Sequence, residues 1–299
     1  MDKIIVIDTE LNGRSGSIGS FLLPYAGGGI LVDAGPGSTI ESLTRALAVH
    51  GLEPGQVTDV LLTHIHLDHA GAAGWLARKG ARIHVHPVGA PHLLNPEKLL
   101  ASARRIYGDR MDELWGEFLP VPPGQLSEVR DGEEIRIGEL TFTALHTPGH
   151  AEHHIAYLFD DACFCGDVGG VRRSGPFYVR LPFVPPETDL GKWHQSLERI
   201  RSTKPARVAL THFGIFADAP AHLTYALRML EDVEAWLDKT MPDVPDVETL
   251  ISRYIPWLHE IGRAEGLSDE LLTAYDQASP ANMGASGLLR YWQKVRRVD

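Results

Sequence analysis

Apolar positions in the first third of the chain fall into short runs separated by polar, glycine-rich turns. "KIIVID" and "GSFLLPY" read as strands, and "GILVDAG" as a third that ends in a glycine turn. "STIESLTRALAVHG" has apolar residues at helical spacing, a Ser at its start and a Gly after its end. "TDVLLTH" is short and continuously apolar, the pattern of a strand buried on both faces. "AGAAGWLARKG" predicts a helix and "ARIHVHP" the next strand. Residues 88 to 118 predict more helix, clearest over "PEKLLASARRIYGDRMDELWGEF". Alternation then returns. "GEEIRIGELTFTALHT" predicts a hairpin turning at Ile-Gly-Glu, and "HHIAYLFDDACFCGD" two strands meeting at Asp160–Asp161.

Residues 168 to 188 show no periodicity and are rich in Gly, Pro, Arg and aromatics, which predicts a functional loop. "DLGKWHQSLERIRST" predicts a helix with an Asp start, and "ARVALTH" a further buried strand. From about residue 218 the pattern is helical, strongest over "PAHLTYALRMLEDVEAWLDKT". The division is therefore a strand-and-helix domain over 1–217 and a helical C-terminal extension over 218–299 packed on it. Trp236, Tyr254, Trp257 and Trp292 lie at scattered helical positions, as expected for packing against the first domain. A homodimer interface or one wall of a pocket are alternative uses of the same residues.

At 299 residues and 43% hydrophobic content the chain can bury a large core without disulfides. Lys plus Arg number 28 and Asp plus Glu 39, a formal charge of −11, which argues against a nucleic-acid partner. Only two cysteines occur, Cys163 and Cys165, one residue apart on a predicted strand. They are expected to face the core together, and the absence of a disulfide framework suits a cytoplasmic location. The N-terminal "MDKIIVIDTE" is interrupted by acids and does not read as a signal peptide. No apolar stretch approaches the roughly 20 residues that span a bilayer, so no membrane partner is expected.

The chemistry concentrates in "LLTHIHLDHAGAAG", which sets His64, His66, Asp68 and His69 at the end of an apolar run. Such residues are poor core material and good ligands for a borderline metal. Three later residues sit in similar places at strand ends: His150 in "HTPGHAEHH", Asp167 in "CFCGDVGG" and His212 in "VALTHFG". His153 and His154 follow His150 closely, and a packing or surface role is expected of them.

These residues resemble the metallo-β-lactamase-fold hydrolase superfamily, whose signature is H-x-H-x-D-H followed by separated His, Asp and His. The similarity covers roughly residues 4 to 215 and includes "LVDAG". It implies an α/β (α+β) fold, an αββα sandwich of two mixed sheets with the metals at one edge. It also implies a ligand split: His64, His66 and His150 to one metal, Asp68, His69 and His212 to another, and Asp167 between them. Asp33 would support the metal loops from behind. The chemistry agrees with that split, since three imidazoles leave an open position on a zinc, and a carboxylate can span two cations where an imidazole cannot. Two divalent metal ions are therefore expected, zinc by default for hydrolysis, with Fe or Mn as alternatives.

The implied function is that of a dinuclear metal-dependent hydrolase of the glyoxalase II and lactonase-like branch. It would use a metal-bridging hydroxide, with Asp68 and Asp167 as the catalytic carboxylates, on a small ester, thioester or lactone. A phosphodiesterase, or a mononuclear-iron sulfur dioxygenase of the same fold, are the alternatives. The dioxygenase relatives use two His and one Asp and do not need Asp68, His69 and His212 together. The bridging Asp167 disfavours penicillin cleavage, because zinc β-lactamases carry Cys or Ser near that place. The loop after Asp167 is expected to form a lid over an anionic or partly apolar small-molecule substrate, with Arg172, Arg173, Tyr178 and Arg180 as contacts.

Overall fold

The computed structural model describes residues 4–243 and 246–296. Two six-stranded sheets face one another. The first holds β1 (Ile5–Asp8), β2 (Gly19–Tyr25), β3 (Gly28–Val32), β4 (Val57–Leu61), β5 (Arg82–Val85) and β6 (Leu126–Glu128), in that spatial order. The second holds β7 (Glu134–Ile137), β8 (Leu140–His146), β9 (Ile155–Phe159), β10 (Ala162–Phe164), β11 (Arg207–Leu210) and β12 (Gly214–Phe216), again neighbour to neighbour in chain order. Both sheets are mixed: β3 to β6 pair in parallel, as do β10 and β11, and the other pairs are antiparallel.

The alternation of each strand builds three apolar layers. Phe21, Leu23, Ile30, Val32 and Leu61 of the first sheet meet Phe142, Ala144, Tyr157, Phe164 and Ala209 of the second. Their chain neighbours Leu22, Leu31 and Val60 point the other way. There they pack under helices α1 (Ile40–Val49), α2 (Leu67–Ala70), α3 (Ala73–Arg78), α4 (Ala90–Leu94), α5 (Glu97–Tyr107) and α6 (Met111–Trp115). On the far side, Leu145, Ala156, Val208 and Leu210 lie under α7 (Leu190–Ser202), α8 (Ala219–Thr240), α9 (Val247–Ala264), α10 (Asp269–Ala278) and α11 (Ala281–Tyr291). The result is helix, sheet, sheet, helix, because a sheet with apolar residues on both faces must be covered on both.

The helices that follow residue 218 share one core with the second sheet. Tyr254 is buried there, and Trp236, Tyr254 and Trp257 stack on one another with ring centroids 5.3 to 5.8 Å apart. Trp292 packs against the same core. Cys163 and Cys165 are free thiols buried on the helix-covered face of β10 and just beyond it. Two details differ from the sequence reading. The three-residue edge strands β6 and β12 were not foreseen, being too short to show a period. Ser38 does not cap α1; its hydroxyl donates to the Leu114 carbonyl, tying the start of α1 to α6. Asp189 does cap α7, accepting from the Lys192 N–H. Among the described residues no helix is long and apolar enough to cross a membrane.

Candidate metal centre

All seven predicted ligands meet at one edge of the sandwich, on the segments that leave the ends of β4, β8, β10 and β11, with Asp68 and His69 in α2. They form two adjoining groups, His64, His66, His150 and Asp167 in one and Asp68, His69 and His212 in the other. Within each group one ligand atom per residue lies within 4.8 Å of the rest. His66 Nδ1 is 2.9 Å from both His64 Nε2 and His150 Nε2. Asp167 reaches both groups with different oxygens. Its Oδ2 is 3.3 Å from His150 Nε2, while its Oδ1 is 3.1 Å from His69 Nε2 and 3.4 Å from His212 Nε2.

The rings are oriented from behind. His150 Nδ1 donates to the Pro182 carbonyl and His212 Nδ1 to the Ser17 carbonyl, each at 2.9 Å. A carbonyl only accepts, so each neutral ring presents a lone pair at Nε2. Asp33 does the same for His69, taking its Nδ1–H at 2.7 Å. The Asp33 carboxylate also accepts from the Thr63 N–H, the Thr63 hydroxyl and the Thr211 hydroxyl, so one buried side chain ties the metal loops after β4 and β11 together. It sits at φ 59°, a left-handed backbone that costs a non-glycine residue roughly 1–3 kcal/mol. That strain persists because four donors fix the side chain.

These contacts make the site suited to cations. His69 Nε2 and Asp167 Oδ1 are buried without any hydrogen-bond partner, although they face each other. With both rings neutral, the lone pairs of His69 and His212 would point at carboxylate oxygens 3.1 to 3.4 Å away. Such an arrangement repels itself unless positive charge lies between the atoms. The donor set of imidazole and carboxylate fits divalent zinc, iron or manganese.

The acid–base character divides between the groups. Burial, reinforced by the neighbouring His69, His66 and His150, holds His64 well below the usual imidazole range. Burial also outweighs Asp167 and brings His150 down to about 4. At His69 burial acts in the same direction, but the Asp33, Asp68 and Asp167 carboxylates outweigh it and raise the ring well above its ordinary value. His212 is raised by Asp167 and Asp68 against its own burial. Burial would raise Asp68, yet His69 and the hydrogen-bonded His212 bring it down to about 2.

Two glycines let the ligand turns close. A Cβ on Gly149 would stand 2.4 Å from the Trp193 backbone, so only glycine lets His150 approach α7 so tightly. Gly166, at φ 47°, leaves no room for a side chain between His154 Nε2 and Thr63. The Asp167 turn is further held by Trp193 Nε1, which donates to the Val168 carbonyl, and by His222 Nε2 on the Gly169 carbonyl. His154 is buried behind the ligands with its Nδ1 2.8 Å from the Thr147 hydroxyl, and His153 is nearly buried beside His64.

A cavity of about 1010 Å³ opens in front of the centre and includes His66, Asp68, Asp167 and His212 in its lining. The expected lid contacts require correction. Tyr178 and Arg180 are buried and absent from the cavity wall. Arg180 pairs with Asp276 at 2.5 Å, and its guanidinium lies near the Tyr178 and Tyr275 rings. Arg172 forms a two-point ion pair with Asp218 at 2.7 and 2.9 Å, held between the Phe177 and Phe216 rings. These three residues fasten the loop to the helices that follow rather than to a ligand. Arg173 does line the cavity, and its guanidinium donates to the Gly16 carbonyl. From the same loop, Pro182 to Pro186 also form part of the wall.

Sequence reading missed Thr63, Thr211 and Tyr107. A signal for the threonines was present: "LTH" occurs at both 62–64 and 210–212, each time ending on a ligand. Tyr107 lines the cavity, and burial together with the Asp68 and Asp167 charges raises its phenol above the ordinary range, so it remains a hydrogen-bond donor.

Residues 16–212 match the family model for the metallo-beta-lactamase superfamily. The chain is 29% identical over 190 residues to the metallo-beta-lactamase fold-containing protein ST1585 of Sulfurisphaera tokodaii, covering 62% of this chain and 69% of that one. The crystal structure of ST1585 superposes with a TM-score of 0.68 at 21% identity, over 96% of this chain and 99% of that one. An atrochrysone carboxyl ACP thioesterase of Aspergillus fumigatus is 29% identical over 271 residues, 89% of this chain and 70% of the thioesterase. A hydroxyacylglutathione hydrolase of Rhodopseudomonas palustris is 32% identical over 118 residues, 38% of this chain and 35% of the hydrolase. The chain spans 49% of the length of the fungal lactamase-like relatives it matches.

Proposed function

Because the chain belongs to the metallo-beta-lactamase superfamily, we propose that it is a dinuclear metal-dependent hydrolase that cuts a carboxylic ester bond, with a thioester favoured over a lactone or simple ester. The observation that carries the reading is the Asp167 carboxylate, whose two oxygens face different ligand groups. A second complete set in Asp68, His69 and His212 favours two cations over the single iron of a dioxygenase. The thioester preference is supported by the named activities of the similar thioesterase and hydroxyacylglutathione hydrolase.

When bound, a pair of divalent cations supplies an acidified water and positive charge facing a developing oxyanion. The chain's own residues do the rest. His64, His66 and His150 would hold one position; the Thr63 hydroxyl keeps the His64 ring from turning and the Pro182 carbonyl the His150 ring. Asp68, His69 and His212 hold the other, with Asp33 fixing the His69 tautomer. Asp68 stays ionised through the neutral range and lines the cavity as an acceptor. Tyr107 offers a phenolic hydrogen from the end of α5, within the field of the two carboxylates. Leu114, Trp115 and Phe183 exclude water from part of the cavity.

The test is metal quantification alongside a hydrolysis panel of acyl thioesters, lactones, phosphodiesters and a β-lactam. The proposal expects two equivalents of metal, thioester turnover well above the others, and loss of that turnover in Asp167→Ala. Preferred phosphodiester cleavage, or one iron per chain with no hydrolysis, would overturn it.

A further inference from the structure

The cavity is larger, and charged differently, than a small ester requires. Its volume of about 1010 Å³ lies at the upper end of small-molecule pockets. One wall comes from α5 and α6, with Leu99, Ile106 and Leu114. The other comes from α9 and α11, with Val247, Ile251 and Met283. The same cavity is lined by Arg14, Arg105 and Arg110, all exposed. Among the described residues Arg14 and Arg105 have no side-chain hydrogen bond or ion pair. Arg110 reaches only Glu113, at 3.8 Å with both side chains over 60% exposed. Beyond the metal ligands, the acidic residues in the lining are Glu248 and Asp276, and Asp276 is already engaged by Arg180 and His259. A chain of net charge −11 thus gathers two unpaired guanidinium groups and one loosely paired one along one cavity. Guanidinium groups match phosphate oxygens in charge and in geometry.

We infer that the substrate is a two-part acyl thioester: an extended apolar acyl group between the helical walls, and a phosphate-bearing thiol arm held by Arg14, Arg105 and Arg110. Solvation decides which part goes where. The arginines are exposed, so a phosphate beside them keeps its water, and the methylenes gain by leaving it. An anion at the far end of the acyl group would instead lose its hydration among aliphatic side chains. Hydrolysis adds water across the thioester: the C–O bond forms, the C–S bond breaks, and the products are a carboxylic acid and a thiol. No oxidant or reductant is needed. The inference rests on the proposed hydrolysis for the choice of bond, and its test does not require that bond to break.

The test is calorimetric binding to the metal-loaded full chain of two uncleavable thioethers, S-decyl-coenzyme A and S-decyl-N-acetylcysteamine. The coenzyme A compound is expected to bind at least tenfold more tightly. In Arg14→Ala/Arg105→Ala that advantage should shrink below threefold, and thermal melting should report an intact fold. An S-decyl-4′-phosphopantetheine arm separates the sources. Affinity equal to coenzyme A points to the phosphate shared with carrier-protein arms, and weaker affinity points to the nucleotide phosphates; either upholds the inference. Equal binding of the first two thioethers overturns it, as does a full advantage kept by the variant. So does an N-acetylcysteamine thioether with a terminal carboxylate on its decyl chain that binds as tightly as the coenzyme A compound. Retained phosphate selectivity without any hydrolysis would overturn the proposed reaction and leave this inference standing.

Discussion

Asp33→Asn separates the work of the two ligand groups. The substitution keeps the shape of the side chain and removes its charge. Asp33 accepts four hydrogen bonds, two from Thr63, one from Thr211 and one from His69. An asparagine has one accepting oxygen and an NH₂ that only donates. Whichever way the amide turns, donors face donors on one side. If the NH₂ faces His69, the ring must shift its hydrogen to Nε2 and can no longer ligate. If it faces Thr63, the turn before His64 loses its N–H acceptor. The first orientation leaves the backbone N–H of Thr63 satisfied and is the expected one. Loss of an outer partner of a ligating histidine typically weakens metal binding by about 10- to 100-fold, or roughly 1.4–2.7 kcal/mol. The loss should fall mainly on the position held by Asp68, His69 and His212, because Asp33 bonds His69 directly, whereas His150 is held by the Pro182 carbonyl and His64 meets Asp33 only through the Thr63 hydroxyl. Chelator competition resolves the two dissociation constants, with thermal melting as a check on folding. Two constants within twofold of wild type, or a loss confined to the position of the three-histidine group, would be the opposite result.

Other predictions follow from the same geometry. Arg180→Ala removes a buried guanidinium from Asp276, whose side chain is 32% exposed, so the expected cost is about 2–3 kcal/mol in denaturant unfolding, below the range for fully buried pairs; KM should stay unchanged. Tyr107→Phe removes one neutral donor near the carboxylates and should lower kcat by about 3- to 10-fold without changing metal content, which steady-state kinetics and elemental analysis can check. The metal-free His69 and His212 have raised pKa values, so they carry protons that loading must expel. Affinity at the second position should therefore rise with pH through the neutral range. At the first position His150, lowered to about 4, is already neutral there, so affinity should be nearly flat. Calorimetry in buffers of different ionisation enthalpy would count the protons released.

Much of this centre was legible because four ligands crowd into His64–His69, and each later ligand ends an apolar run. The sandwich was legible for a similar reason: β2, β3, β4, β8 and β9 are long or apolar enough to show their period. What escaped depends on partners distant in the chain. Arg180 and Tyr178 sit in a loop whose composition resembles a substrate clamp, yet Asp276 and Tyr275, nearly 100 residues later, draw them inward. Arg105 and Tyr107 look like ordinary positions on a helix until α5 is set against the cavity. The cavity wall formed by α9 to α11 likewise has no local signature, because packing on the second sheet and lining the cavity use the same amphipathic helices.

The central claim is that two cations share Asp167. Crystals grown with zinc and measured at the zinc edge test it directly. Two anomalous peaks per chain are expected, about 3.5–4 Å apart, one among His64, His66 and His150 and one among Asp68, His69 and His212, with Asp167 touching both. A single peak, or two peaks that leave Asp167 bound to neither or only one, would contradict it.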